Sequence, residues 1–147
     1  MRGHAELARV WPRDGRLRLV GRLHDHAPEP ATADGWTLRV ARRGAVGEPA
    51  LRYPAPLDGA AFDSSLPVAD LVPADTFEPP ALWDVWLAPP GATGAGLRVG
   101  RLLDDIRNKK TVMVFPGQRV TRGELTLLVR PYYTIKDNLS VEVRPGR

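Results

Sequence analysis

Apolar residues recur along the chain mostly at every second position, in short runs broken by Pro, Gly and Asp. Residues 16–23 (RLRLVGRL) set Leu17, Leu19 and Gly21 against Arg16, Arg18 and Val20, and 5–11 (AELARVW) forms a matching run. Pro12, Asp14 and Gly15 lie between them and supply turn chemistry, so the pair predicts a β-hairpin. Residues 36–42 (WTLRVAR) place Trp36, Leu38 and Val40 on one face and Thr37, Arg39 and Ala41 on the other, the signature of a half-buried strand. Further strands are predicted at 82–87 (LWDVWL), from Leu97, at 111–115 (TVMVF), at 125–130 (LTLLVR) and at 139–143 (LSVEV). Proline crowds the middle of the chain, so Phe62–Leu66 and Val68–Val72 have room only for a short strand or a 3₁₀ turn. Leu102–Lys109 is the one candidate helix.

Eight or nine short strands with turns between them predict an all-β fold, an immunoglobulin-like antiparallel β-sandwich. A small barrel is the alternative. Residues 82–87 have the length and proline flanks of a central strand, and on it Trp83 and Trp86 point to opposite sides. The 147 residues show no fixed-period repeat and no dividing linker, so residues 1–147 are expected to form one domain.

Composition narrows the chemistry. There is no Cys, which excludes disulfides, thiol nucleophiles and thiolate zinc sites. No run approaches the ~18 apolar residues of a membrane span, and the N-terminus lacks an apolar signal segment. A cytoplasmic location is expected, with the inner face of the membrane as a variant of it. The net charge of +4 hides an uneven distribution: residues 1–52 sum to +4, residues 53–90 to −6 and residues 91–147 to +6. A basic face for an anionic polymer is one consequence, and a solvated surface is the plain alternative.

Catalytic patterns are missing. Ser64, Ser65 and Ser140 sit in no nucleophile elbow, and no glycine-rich phosphate loop precedes a helix. His24-Asp25-His26 could share a metal through His24 and His26, with His4, Asp14 or Glu29 as third ligand, which leaves a small metal-dependent enzyme as an alternative. No cofactor is implied. The basic run 98–110 has no nucleic-acid module around it, so nucleic acid is not an expected partner. Exposed aromatics with nearby arginines instead suit carbohydrate: Trp83 or Trp86 and Tyr132 or Tyr133 for stacking, Arg98 and Arg101 for phosphate contacts.

The stretch Leu82-Trp83-Asp84-Val85-Trp86, then Leu97-Arg98-Val99-Gly100, then Pro131-Tyr132-Tyr133-Thr134 and Asn138-Leu139-Ser140-Val141 resembles a known family over residues 60–144. It is similar to the β-sandwich accessory domains at the C-termini of actinobacterial family 2 glycosyltransferases and of CDP-glycerol glycerophosphotransferase-like enzymes, which make teichoic-acid-type cell-surface polymers. The resemblance implies a non-catalytic domain that follows a transferase and helps it oligomerise or hold its polysaccharide or teichoic-type polymer. The sequence departs from such a parent in having no Asp-x-Asp motif and no Rossmann-like half. A freestanding interaction or homo-oligomerisation module is the alternative of a different class.

Overall fold

Asp14 and Gly15 both adopt positive φ, 58° and 75°, the backbone twist that a two-residue hairpin turn requires. They join β1 (His4–Arg13) to β2 (Arg16–His24), as the alternating pattern predicts. This comes from a computed structural model, which describes residues 4–24, 30–44, 47–72, 80–91, 96–101, 115–134 and 138–146. The remaining strands are β3 (Thr37–Arg42), β4 (Leu51–Pro54), β5 (Leu57–Asp58), β6 (Ala61–Pro67), β7 (Ala81–Ala88), β8 (Leu97–Arg101), β9 (Gln118–Arg122), β10 (Leu125–Tyr133) and β11 (Leu139–Pro145). Val68–Leu71 is a 3₁₀ turn, the second of the two options its prolines left open.

The strands form two layers that share one member. The first layer runs β5-β6-β2-β1 and the second β9-β10-β11-β7-β3-β4. Strand β8 belongs to both: Leu97 and Arg98 pair antiparallel with β7, and Val99, Gly100 and Arg101 pair parallel with β1. That parallel pair is a departure from the all-antiparallel expectation; within it Gly100 also forms an antiparallel bridge with Asn138, just before β11. The inner faces meet in one hydrophobic cluster, with Leu17, Leu19, Phe62 and Leu66 from the first layer and Trp36, Leu38, Trp83, Val85, Val129 and Val141 from the second. The all-β sandwich is therefore as expected, with eleven strands among the described residues where eight or nine were expected.

The extra strands have simple causes. In β4 only Leu51 and Tyr53 are apolar, between Pro49 and Pro54, and in β9 only Val120 is. Neither carries enough alternation to be seen before its partner is known. Polar latches close the layers at their margins: Ser64 Oγ donates to the Pro54 carbonyl at 2.8 Å, and Gln118 Nε2 to the Arg16 carbonyl at 2.8 Å. The predicted helix over 102–109 and most of the predicted strand over 111–115 lie outside the described residues.

Candidate functional site

Strand β7 is central, as its flanks predicted, with β3, β8 and β11 as its neighbours. One cross-strand row reads Arg52, Arg39, Trp86, Arg98, carried in register by β4, β3, β7 and β8. The Trp86 ring lies between two guanidinium groups, Arg39 at 4.9 Å and Arg98 at 5.0 Å from its centroid. Because β3 and β8 flank β7 from opposite sides, the ring is occupied on both. Each such cation–π contact contributes about 0.5–2 kcal/mol, depending on desolvation.

The adjacent row reads Ala41, Asp84, Ser140, Tyr132 across β3, β7, β11 and β10. Asp84 is its centre. It receives Arg43 in two-pronged fashion at 3.1 and 2.6 Å, Arg98 Nη2 at 3.0 Å and the Ser140 hydroxyl at 2.7 Å. Burial pushes the Asp84 carboxyl up, but the hydrogen bonds from Arg43 and Ser140, with the charges of Arg98 and Arg43, outweigh it and hold the group below the usual carboxylate range. The hydrogen bond to Asp84 raises Arg43 above its ordinary value against the effect of burial. Burial pushes Arg98 down, with the charge of Asp84 opposing.

Arg98 also donates to the carbonyls of Val85 and Leu139, both at 3.3 Å, and so ties three strands where β8 takes over from β11. It is a structural cation. Arg52 differs: it is exposed, and its Nη1 reaches Thr37 Oγ1 at a long 3.4 Å. Arg43 and Arg98 thus flank Asp84, while Arg39 and Arg52 stand in the adjacent row, so arginines outnumber the aspartate on this part of the face.

The sequence-predicted residues divide between the faces. Trp86, Tyr132 and Arg98 come together on the outer face. Trp83 and Tyr133 do not: strand parity turns both inward, where they are 5% and 8% exposed, and Tyr133 packs beside Phe115 at 5.9 Å. Neither can offer a ring face to a sugar. The backbone of Arg101 pairs with Leu7, and its side chain lies outside the described part of the structure. His24 Nδ1 meets the buried Glu6 at 2.8 Å, with His4 against it, while His26 lies outside the described residues. Among the described residues no three His, Asp or Glu are grouped to hold a metal.

Sequence reasoning missed Arg39, Arg43 and Arg52 as site residues. The alternation in β3 did turn Arg39 outward, but its place beside Trp86 depends on the non-local β3–β7 pairing. It also missed a second tryptophan, Trp11, beneath Arg18 at 4.5 Å on the outer face of the first layer. A bulge between Leu7 and Arg9 reverses parity there, so Trp11 faces outward where uninterrupted alternation from Leu7 would bury it.

No family model and no curated protein matches the chain. Its fold is similar to part of S. aureus TarS. The crystal structure of that protein superimposes with a TM-score of 0.71 at 13% identity, covering 99% of this chain and 25% of that one. The chain thus spans about a quarter of the length of the solved structure it matches. At this identity the likeness is one of fold.

Proposed function

We propose that this chain is a non-catalytic accessory domain of a cell-surface-polymer glycosyl- or glycerophosphotransferase, and that the outer face around Trp86 holds an anionic polymer of the teichoic type. The observation that carries the reading is the end-to-end likeness of its fold to one segment of TarS, a teichoic-acid glycosyltransferase. The face supplies a suitable chemistry. Arg39 and Arg52 stand side by side in register, and guanidinium forks match phosphate oxygens in pairs.

Trp86 serves in this account as the bed on which Arg39 and Arg98 are held, not as a free stacking surface. Tyr132 remains the ring on the face open to contact with a sugar. Asp84 is kept ionised by its three donors, an arrangement suited to scaffolding and unsuited to proton transfer near neutral pH. The domain would work wherever the transferase meets its polymer, at the cytoplasmic face of the membrane.

The test is a titration of the purified domain with teichoic-type polymer, followed by tryptophan fluorescence. Saturable change is expected, because Trp86 lies against Arg39, one of the two cations that bind. No change at millimolar repeat unit would contradict the reading.

A further inference from the structure

Arg13 and Arg16 face each other across the last pair of the β1–β2 hairpin, and both are exposed. Side chains directly opposite on one face of an antiparallel pair stand ~4.5–5.5 Å apart at Cβ, where like charges repel. No carboxylate answers them. Arg13 makes no ion pair or hydrogen bond among the described residues, and Arg16 gives its Nε and Nη2 to the neutral Ser65 hydroxyl at 3.1 and 2.9 Å.

The neighbouring row holds Trp11, Arg18 and Ser65 in register across β1, β2 and β6. Arg18 lies over the Trp11 ring at 4.5 Å and forks onto Asp63, so its charge is already met. The bulge between Leu7 and Arg9 is what turns Trp11 and Arg13 to the outer side, where the alternation of β2 places Arg16 and Arg18. These residues and Asp14 line a cleft of about 180 Å³: Trp11, Arg13, Asp14, Arg16, Arg18 and Ser65. It is smaller than the ~300–1,000 Å³ of sites for drug-sized molecules. With Arg18 cancelled by Asp63, Arg13 and Arg16 stand against Asp14 alone, and the surplus in this small concave site is positive. Guanidinium edges offer paired donors, which a compact anion with several acceptor oxygens satisfies together.

We propose that this cleft binds one phosphate group, held between Arg13 and Arg16 beside Trp11, on the outer face of the first layer and so on the opposite side of the sandwich from Trp86. The inference gives the anionic polymer a second contact, and it rests on the polymer-binding reading only for the source of the phosphate. Asp14 opposes the anion, which makes its charge a handle on the site.

The test is a ¹H–¹⁵N titration of the full chain with inorganic phosphate, the ionic strength held constant with chloride. A small probe reads this site apart from the gain that a long polymer draws from two contacts. Expected is a saturable shift of the Trp11 indole and the Asp14 amide. Binding should be about fivefold weaker in Arg13→Gln, which removes an attracting charge, and about threefold tighter in Asp14→Asn, which removes a repelling one. Asn suits the positive φ of 58° at that turn position, so the hairpin is kept. An unmoved indole, a response that never saturates, or an affinity indifferent to either substitution overturns the proposal. With teichoic-type polymer the Trp11 and Trp86 indoles are expected to move together. Polymer that moves Trp86 alone overturns the second contact and leaves the polymer reading intact. A Trp11 side that answers phosphate while polymer moves neither indole keeps this site and removes that reading.

Discussion

The hydroxyl of Ser140 donates to Asp84 Oδ1 at 2.7 Å across the β7–β11 pair, fixing the carboxylate that also receives Arg43 and Arg98. This contact sits where β8 replaces β11 as the neighbour of β7. The junction of the two layers and the basic face therefore share one anchor.

Asp84→Asn is expected to cost about 2 kcal/mol at pH 7, since hydrogen bonds to charged partners contribute ~1.5–3 kcal/mol each and Asn keeps some of them. The folded carboxyl lies below its ordinary value, so its contribution is complete above about pH 4 and is lost as pH falls through the folded value. Urea unfolding at a series of pH values should show wild type and variant converging in acid. A gap that stays constant with pH would deny Asp84 this role.

Arg98→Lys preserves charge but not the planar fork that reaches Asp84, Ser140 and two carbonyls together. A loss of about 1.5 kcal/mol is expected, read as a lowered denaturation midpoint. An unchanged midpoint would mean that the net charge alone matters at this junction.

Gly21 sits in β2 so close to β1 that a Cβ there would land on the Glu6 carbonyl oxygen, with the Phe62 ring 3.0 Å away. Gly21→Ala should cost about 3 kcal/mol or more, the upper end of overpacking penalties. Gly15→Ala meets nothing within 4 Å and bears only the strain of φ 75°, about 1 kcal/mol. Thermal unfolding of the two variants side by side would expose any error in this ordering.

The architecture was legible in the sequence wherever alternation was strong and uninterrupted. Leu17 and Leu19 against Arg16 and Arg18, and Trp83 against Trp86, set the two faces of β2 and β7 without any knowledge of partners. Legibility failed at Trp11, because a bulge is a property of pairing, and at β4 and β9, whose few apolar residues gain meaning only beside β3 and β10. Of the outer face around Trp86, Trp86, Tyr132 and Arg98 were recognisable as outward or basic residues. The row that joins Trp86 to Arg39 and Arg52 draws on positions 39, 52 and 86 and exists only once the register is fixed.

Tyr53 donates its hydroxyl to Asp70 Oδ2 at 2.7 Å, and burial followed by that bond pushes the phenol up well past its usual range. Its contribution is therefore complete below about pH 10 and is lost as pH climbs towards the folded value. Tyr53→Phe should lower stability by about 1 kcal/mol at pH 7 and show a shallower alkaline decline than wild type. Identical alkaline profiles would place the pH sensitivity elsewhere.

The central claim is that the outer row of arginines meets an anionic polymer. Its most direct test is the affinity for teichoic-type polymer, by calorimetry at low and moderate salt, of wild type and of Arg39→Glu/Arg52→Glu with an unchanged fold confirmed by circular dichroism. The account predicts binding that weakens with salt and falls about tenfold or more in the variant, since two charge reversals at close range exceed ~1 kcal/mol even in a watery dielectric. Binding of equal strength in both proteins would contradict it.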